Sequence, residues 1–476
     1  MTDLHELTAL EQWRLLQRGE VGVLELTDHY LDRIDTHGEA VGAFVTVTAE
    51  RARRRAETVQ SSVPRTAPLW GLPHADKDLV RTAGVRTTFG SRLFEHFVPE
   101  ESDALAVQLD EAGAVSLGKT TTPEFGLPSY TESRVAPPTR TPWDLSRGAG
   151  GSSGGAAAAV AAGLLPFATG SDGGGSIRIP AAACGLVGIK PSRGLVPAGS
   201  GLGAPAGLPV AGTIGRTVED VAFLLDGIIA KDGDRIRFDH TLRAPAPEDG
   251  LFLGAAVRGE GRFQIGVLTD SPWRHDYDIV VDPEATAALD VAVSALDALG
   301  HGLERISLEP TPDYSAAFRV IWQAGASLIP AATDEELDLL EPLTRWLVLR
   351  GRELPASSLV WAIASLSDFE AALIRQFSAF DAVLTPTLAM TPRPIGWYDQ
   401  EDGERNFAQQ VQYTPFTSFV NASGLPALTL PVHWTDDGLP MGAQLIGRPG
   451  GEATLLALGR QLERRLDWTA RRPPVW

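Results

Sequence analysis

Lysine and serine side chains with nucleophilic potential stand beside glycine-rich turns in the first half of the chain. Lys77 lies in LPHADKDLV, Ser152 in GAGGSSGG and Ser176 in SDGGGSIRIP. Consecutive glycines leave backbone N–H groups unshielded, so these groups can converge on the oxyanion of a tetrahedral intermediate. A serine that ends such a turn is placed to attack a carbonyl, and a desolvated lysine can act as its base. The pattern therefore predicts acyl transfer by a serine nucleophile.

Lysine is rare in this chain, which makes each lysine informative. Only four of the 41 Lys and Arg residues are lysines: Lys77, Lys119, Lys190 and Lys231. A lysine can lose its proton when it is buried, whereas an arginine practically cannot. Three of the four fall between residues 77 and 190, the same region as the two glycine-rich turns. This distribution favours a lysine base in that region.

A second motif, GAVSLGKT at residues 113–120, matches the pattern G-x-x-x-x-G-K-T of nucleotide-binding loops. Such a loop lies between a strand and a helix whose N-terminus binds phosphate. Here the apolar segment AVSL occupies the position of the loop, and Pro123 follows where the helix should be established. Nucleotide binding is therefore not favoured.

A Ser–His–Asp hydrolase is the other alternative, because residues 150–154 and 151–155 both match G-x-S-x-G. In α/β-hydrolases this serine sits on a sharp strand-to-helix turn, with Asp and His following along the chain. The preceding RTPWDLSRGA is not expected to form the strand that such a turn requires. His74 lies close to Lys77 in sequence, but a lone histidine is more often a structural residue. The downstream candidates lie in no recognisable motif: His240, His275, His301 and His433. This alternative is disfavoured but stays open.

The elements that must position these residues are predicted to form an α/β architecture. Residues 4–60 carry apolar residues at helical spacing, and residues 64–240 alternate short apolar strands with Gly/Pro turns and helices. Residues 231–262 are expected to form a loop and 310–376 to be mostly helical. Strands return in DAVLTPTLA, GLPALTLPV and PMGAQLIG, before the closing helix EATLLALGRQLERRL.

Strands at both ends of the chain can share one sheet, which favours one large domain. We therefore expect a single α/β domain over residues 1–476, with a twisted mixed β-sheet flanked by helices on both faces. Its catalytic core is expected at about 64–240 and a less motif-rich, substrate-side region at about 241–376. The C-terminal strands and helix, residues 377–476, are expected to complete the sheet.

Composition limits the classes of partner. The net charge is −19, with 43% hydrophobic and 21% charged residues, which is typical of a globular protein without affinity for nucleic acid or anionic membranes. No apolar stretch approaches the roughly 20 residues of a transmembrane helix, and the acidic N-terminus does not resemble a signal peptide. The single cysteine, Cys184, excludes an internal disulfide and a Cys-based metal site. We expect a cytoplasmic protein with no nucleic-acid or membrane partner; a homodimer stays open.

The chain resembles the amidase signature hydrolases in six segments, which cover most of its length. These segments are GLPHADKDLV (71–80), LGKTTTPEFG (117–126), TPWDLSRGAGGSSGG (141–155), SDGGGSIRIPAAACGLVGIKPSRG (171–194), NASGLPALTLPV (421–432) and GLPMGAQLIG (438–447). Residues 232–376 match the family pattern weakly. The resemblance implies the family's α/β fold and hydrolysis of an amide bond, without a metal or an organic cofactor.

The resemblance also implies a Ser–cisSer–Lys triad. Ser176 is then the nucleophile, Ser152 the bridging serine and Lys77 the base. The 24-residue interval between the two serines fits the family pattern and selects Ser152 rather than Ser153. The peptide bond between Gly151 and Ser152 is expected to be cis.

Further roles follow from the same resemblance. It implies an oxyanion hole built from the N–H groups of Gly173, Gly174, Gly175 and Ser176. It implies supporting roles for Ser153, Asp172 and Arg178. Lys119 and Lys190 match positions of structural character. Gly173 departs from the family pattern, which usually has a bulkier residue at this position. Because glycine has more conformational freedom, the turn is expected to be less rigid.

Among the family's substrates, small and mostly uncharged amides fit this sequence best. Carbamates and nylon oligomers are the alternatives, and a glutaminase subunit of a tRNA-dependent amidotransferase is a further one. Such subunits usually carry an acidic residue several positions before the Asn-x-x-Gly-x-Pro segment, where Thr414 stands here. Ile179 also departs from the glutamine that those subunits tend to have. We therefore expect a free-standing hydrolase.

Overall fold

A computed structural model of the chain describes residues 3–196, 205–229, 231–232, 235–236 and 251–476. Its strands are β1 Phe44–Val47, β2 Pro73–Lys77, β3 Val115–Thr120, β4 Arg140–Thr141, β5 Asp144–Gly148, β6 Phe167–Asp172, β7 Val187–Lys190, β8 Val210–Gly215, β9 Lys231–Asp232, β10 Arg235–Ile236, β11 Gln264–Leu268, β12 Gly302–Ile306, β13 Ala382–Pro386, β14 Ala427–Trp434 and β15 Pro440–Gly447. Its α-helices are α1 Ala9–Arg18, α2 Val23–Val41, α3 Ala49–Ser62, α4 Ala104–Glu111, α5 Gly154–Ala161, α6 Arg178–Ala183, α7 Val218–Ile228, α8 Phe252–Arg258, α9 Pro283–Ala298, α10 Tyr314–Ala326, α11 Asp334–Leu339, α12 Pro342–Arg352, α13 Ala356–Phe377, α14 Gly403–Tyr413, α15 Ser418–Ala422 and α16 Glu452–Leu466. Short 3-10 turns lie at Leu4–Glu6, Arg92–Phe94, Glu124–Gly126, Pro205–Gly207, Pro272–His275 and Trp468–Ala470.

A mixed eight-stranded sheet forms the centre of the molecule, with strand order β12-β11-β13-β15-β14-β7-β8-β6. Strand β11 runs parallel to β12 and β13, and the other neighbours are antiparallel. Strands from residues 167–215 and from residues 382–447 therefore lie side by side, as the sequence predicted. The two glycine-rich turns of the site are held at the β6 end of this sheet.

Helices cover both faces of the central sheet, which explains why β14 and β15 are buried along most of their length. Successive residues of a strand point to opposite faces. Leu428 lies against Gly459 of α16, while the next residue, Thr429, lies with Gly442 on the side covered by Ala182 of α6. The predicted fold class, a mixed sheet with helices on both faces, is confirmed.

A separate three-stranded sheet, with order β1-β3-β2, carries Lys77 at the end of β2. Strand β2 is parallel to β3, and β1 is antiparallel to it. Strand β2 also packs against β6 of the central sheet. This contact brings Lys77 next to the turn that follows β6.

Three sequence-based expectations about local structure are wrong. The N-terminal region contains strand β1 in addition to helices, because the segment FVTV pairs with β3. The stretch RTPWDLSRGA forms the hairpin strands β4 and β5. The expected loop over residues 231–262 contains helix α8, whose first N–H groups bond to the Asp226 carboxylate. Each of these elements is short, and β1 and α8 also depend on partners outside their own segment.

The alanine run after the first glycine-rich turn forms helix α5, in which every residue is buried. Small side chains allow this close approach. A Cβ atom on Gly155 would overlap with the backbone of Thr121, so only glycine fits at that position. Helix α5 thus lies directly beneath the turn that carries Ser152.

Helix α13 meets the length and hydropathy criteria for a membrane span, contrary to the expectation that no stretch does so. The criterion concerns length and composition only. Only 22% of its most apolar 18-residue window is buried. Leu366, Phe369 and Leu373 pack into the protein, whereas Val360 is 67% exposed.

Candidate active site

Lys77 is almost fully buried, with 1% of its side chain exposed, at the C-terminal end of β2. Its Nζ atom donates a hydrogen bond to Ser152 Oγ at 2.8 Å and another to Ser171 Oγ at 3.0 Å. Burial lowers the pKa of Lys77 to about 7, although the charge of Asp172 opposes this shift. Near neutral pH the amine can therefore exist without its proton, which is the form that a general base requires.

Ser152 is positioned by an unusual backbone segment. The peptide bond between Gly151 and Ser152 is cis. A Cβ atom on Gly151 would lie 2.7 Å from the carbonyl group of Tyr130, so the close packing of these two segments requires glycine. Thr122 Oγ1 donates a hydrogen bond of 3.0 Å to the Ser152 carbonyl oxygen. These contacts fix the Ser152 hydroxyl beside Lys77.

Ser176 ends the second glycine-rich turn, between β6 and α6, and is 7% exposed. Within the described residues its hydroxyl has no hydrogen-bond partner, although Ser176 and Ser152 line the same cavity. The backbone N–H of Ser153 donates to the Ser176 carbonyl oxygen at 3.1 Å, which links the two turns. The site thus contains a bonded Lys77–Ser152 pair and a free hydroxyl on Ser176.

The Asp172 carboxylate shapes the turn that precedes Ser176. It accepts hydrogen bonds from the N–H groups of Gly175, at 2.7 Å, and of Ile177, at 3.1 Å. The Gly175 N–H is therefore committed to Asp172. In the described part of the chain, the N–H groups without an acceptor in this turn are those of Gly173, Gly174 and Ser176.

Glycine is required at position 175 but not at position 173. Gly175 has φ of +129°, and a Cβ atom there would overlap with the Thr417 side chain. At Gly173 the nearest atoms, in Pro209 and Trp322, would be at ordinary contact distance from a Cβ. The departure of Gly173 from the family pattern therefore removes a side chain that this backbone could accommodate.

A buried ion pair holds the Asp172 carboxylate in place. Arg178 is fully buried and donates two hydrogen bonds of 2.9 Å to Asp172, and further bonds to Gln444 and Asn421. Burial favours a raised pKa for Asp172, but the charges of Arg178 and Lys190 outweigh it and lower the pKa well below its usual value. The carboxylate therefore stays ionised and keeps its hold on the turn.

The other candidates from the sequence lie away from the two serines. Lys119 is paired with Asp78, and Lys190 donates to the Pro191 carbonyl oxygen at 2.9 Å. The possible P-loop is occupied by strand β3. In the described residues no histidine contacts Ser152 or Ser176; His240 lies outside those residues. The other histidine candidates from the sequence lie elsewhere: His74 Nδ1 is 3.9 Å from Asp76 Oδ1, His275 lies in the turn Pro272–His275, His301 bonds to Gln461, and His433 bonds to Glu284.

Several functional contacts were missed by the sequence analysis. Ser171 contacts Lys77, and Thr417 Oγ1 donates to the Gly174 carbonyl oxygen at 2.7 Å. Asn421 Nδ2 donates to the Asp172 carbonyl oxygen at 2.7 Å. Ser171 directly precedes Asp172 in the signature, which was an available signal. Asn421 and Gln444 lie in the closing segments of the resemblance, where no role was assigned to them.

Two cavities meet at Ser176, with volumes of about 180 Å³ and about 60 Å³. Among the described residues, no charged side chain lines either cavity. Leu127 and Trp322 line both of them. Thr414, the position at which amidotransferase subunits are expected to be acidic, lines the smaller one. Within the described residues no group of three or more His, Cys, Asp or Glu side chains is arranged to hold a metal ion.

Comparison with known proteins agrees with the signature segments. The sequence profile of the Amidase family matches residues 25–456. The chain belongs to the amidase signature family. The predictions of this family and of an amidohydrolase are thereby confirmed.

Individual relatives match over nearly their full lengths. A Mycobacterium tuberculosis protein named AmiB2 and assigned as an amidase is 38% identical, with 100% of this chain and 99% of that protein covered. A glutamyl-tRNA(Gln) amidotransferase subunit from Roseiflexus sp. is 35% identical, with the same coverage. A structure of 6-aminohexanoate cyclic dimer hydrolase complexed with substrate has a TM-score of 0.88 and 30% identity, with 99% of both chains covered. This amidase thus resembles both hydrolases and amidotransferase subunits.

Proposed function

We propose that this amidase hydrolyses the carbon–nitrogen bond of small, mostly uncharged amides through Ser176, Ser152 and Lys77. The observation that carries the proposal is the 2.8 Å hydrogen bond between Lys77 Nζ and Ser152 Oγ in a buried setting. Since burial lowers the pKa of Lys77 to about 7, a substantial fraction of the enzyme holds an uncharged amine at neutral pH. That amine is the acceptor for the proton of the nucleophile.

Acylation begins when the Ser176 hydroxyl attacks the substrate carbonyl. Ser176 gives its proton to Ser152, and Ser152 gives its own to Lys77, so the charge ends on a buried ammonium group. The free Ser176 hydroxyl completes the relay when substrate brings it against Ser152, since catalytic hydrogen bonds often close only in the bound complex. Protonated Lys77 then returns a proton through Ser152 to the leaving nitrogen.

The oxyanion of the tetrahedral intermediate is held by main-chain donors. The N–H groups of Gly173, Gly174 and Ser176 are the available ones, because the Gly175 N–H already donates to Asp172. Asp172 is therefore a positioning residue that fixes the turn from behind. Removal of one such donor typically costs on the order of 10²–10³ in rate.

Deacylation completes the cycle. Water attacks the acyl-enzyme by the same relay in reverse.

The substrate class follows from the walls of the two cavities. Charged side chains are absent from their described linings, and the smaller cavity contains the aromatic rings of Trp273, Phe318 and Phe407. Such walls favour apolar, uncharged groups, because a charged group would lose its hydration without gaining a partner. This supports neutral amides as substrates.

Two alternative substrate classes are considered, one from the comparison and one from the chemistry of the reaction. The similarity to 6-aminohexanoate cyclic dimer hydrolase favours ω-amino-acid amides of the nylon type as alternative substrates. Carbamates are a second alternative, because their tetrahedral intermediate makes nearly the same contacts. A glutaminase subunit is disfavoured, since Thr414 supplies no carboxylate to the cavity for an α-amino group.

A substrate panel tests the proposal. Aryl amides, ω-amino-acid amides, aryl carbamates and glutamine are assayed with the wild type, with Ser176→Ala and with a control, Ser146→Ala, at an exposed serine. Hydrolysis of neutral amides, lost by about 10⁴-fold or more in Ser176→Ala and kept in Ser146→Ala, is the expected result. Activity on glutamine alone, dependent on a co-purified partner, would contradict it.

A further inference from the structure

The two cavities at Ser176 differ in which catalytic group they contain. The larger, which we call the relay chamber, is lined by Ser152, Ser171, Trp322 and Gly325 among other residues. The smaller, which we call the aromatic chamber, is the one that contains Trp273, Phe318 and Phe407. Ser176 lines both chambers, so the two halves of a substrate whose carbonyl lies at its hydroxyl can occupy different chambers.

The direction of proton transfer assigns a role to each chamber. During breakdown of the intermediate the carbon–nitrogen bond breaks, and the leaving nitrogen takes the proton that Lys77 returns through Ser152. Ser152 lines the relay chamber and is absent from the lining of the aromatic chamber. The leaving amine must therefore lie in the relay chamber, and the acyl group in the aromatic chamber.

We propose, on the basis of the function proposed above, that the substrates are secondary amides with an apolar substituent on the leaving nitrogen. A primary amide would release ammonia and leave the relay chamber, the larger of the two, without a substrate group. Apolar groups gain about 0.8 kcal/mol for each buried methylene, which corresponds to about fourfold in kcat/KM. The relay chamber thus favours substrates whose leaving amine carries an apolar substituent.

Two glycines enlarge the relay chamber, although the backbone conformation at neither position requires glycine. A Cβ atom on Gly325, in α10, would meet no atom within 4 Å, and one on Gly173 would make only ordinary contacts with Trp322 and Pro209. Neither has a positive φ, in contrast to Gly175. Glycine in a helix is less favourable than alanine. What Gly325 and Gly173 supply is space beside the leaving nitrogen.

The test uses butyramides whose nitrogen carries hydrogen, methyl, propyl or phenyl, together with anilides of increasing acyl length. In the wild type, kcat/KM is expected to rise by about fourfold per methylene along the N-alkyl series. Gly325→Leu is expected to lower the ratio of kcat/KM for the N-propyl over the primary amide by at least about tenfold. Gly254→Leu, at a helical glycine of α8 away from both chambers, serves as the matched control and should leave that ratio unchanged.

The aromatic chamber is tested in the same way. Val411 lines this chamber, and Val411→Phe is expected to lower the preference for long over short acyl groups by about tenfold without altering the preference among amines. Val411→Leu repeats the test with a smaller change if the first variant melts early. Deacylation rates should be identical for substrates that share an acyl group, because they form the same acyl-enzyme.

The outcomes separate this inference from the proposed function. If no amide is hydrolysed by the wild type, the proposed function fails. If amides are hydrolysed but Gly325→Leu alters acyl preference instead of amine preference, the chamber assignment alone is overturned. A wild-type enzyme that prefers the primary amide to its N-propyl derivative would also overturn it.

Discussion

Between pH 6 and pH 8, kcat/KM for an uncharged amide is expected to rise about tenfold, because Lys77 must lose its proton before it can accept one. Burial is the main cause that lowers the pKa of Lys77 from its usual 10.5 to about 7, and the charge of Asp172 opposes it. With this pKa, the uncharged fraction is about 0.09 at pH 6 and about 0.9 at pH 8. The logarithm of kcat/KM should therefore rise with a slope of one below pH 7 and level off above pH 8.

Initial rates at substrate concentrations well below KM measure this profile, since only the free enzyme titrates when the substrate is neutral. His74→Gln is the matched control: His74 is buried in the same strand but in the described structure contacts neither catalytic serine, so this variant should keep the acidic limb. Lys77→Arg should lose about 10²–10⁴-fold in kcat/KM, because arginine cannot act as the base. A flat profile in the wild type, or an unchanged acidic limb in Lys77→Arg, would refute the reasoning.

Three further predictions concern the groups around the base. Asp172→Asn should lower the free energy of unfolding in denaturant titrations by about 3–5 kcal/mol, because it leaves the Arg178 charge buried without a partner. The control Asp144→Asn, at a half-exposed ion pair, should lower it by less than about 1 kcal/mol. Equal losses in the two variants would contradict a stabilising role for the buried Asp172–Arg178 pair. Lys77→Met should gain stability relative to the wild type at pH 7.5, and this gain should shrink by about 2.5 kcal/mol at pH 9.5. Across this pH range Lys77 in the unfolded chain, with a pKa near 10.5, holds a proton that folded Lys77 mostly lacks. The wild-type protein therefore becomes more stable as the pH rises, and the advantage of Lys77→Met shrinks. A stability difference that does not change with pH would contradict a lowered pKa for Lys77. Prolonged dialysis against EDTA should leave kcat/KM unchanged, and a loss that added metal restores would reveal a metal requirement.

The sequence predicted the elements that have a clear apolar pattern and missed three short ones, namely β1, the β4–β5 hairpin and α8. Strands β14 and β15 and helix α16 were predicted because each has a sustained apolar pattern over eight residues or more. Strand β1 has four residues and is stabilised by pairing with β3, and helix α8 depends on packing against α7 and α16. Local periodicity carries little information about segments whose stability comes from distant partners.

The same limit applies to the site. The resemblance to the amidase signature implied that Lys77 and Ser152 meet, and the structure places Lys77 Nζ 2.8 Å from Ser152 Oγ. The pattern could not reveal that the Gly175 N–H points at Asp172 rather than at a substrate oxygen, because that depends on the dihedral angles of the turn. Nor could it reveal the Asn421 contact, which joins residues nearly 250 positions apart.

The central claim, that buried Lys77 activates Ser176 through Ser152, is tested most directly by locating the acyl group during turnover. A slowly hydrolysed aryl amide is mixed with the enzyme, the reaction is quenched with acid, and the acylated residue is identified by peptide mass spectrometry. The acyl mass is expected on Ser176 in the wild type, and its formation should be about 10²–10⁴-fold slower in Ser152→Ala. An acyl group on any other residue, or acylation of Ser176 at the wild-type rate in Ser152→Ala, would contradict the mechanism.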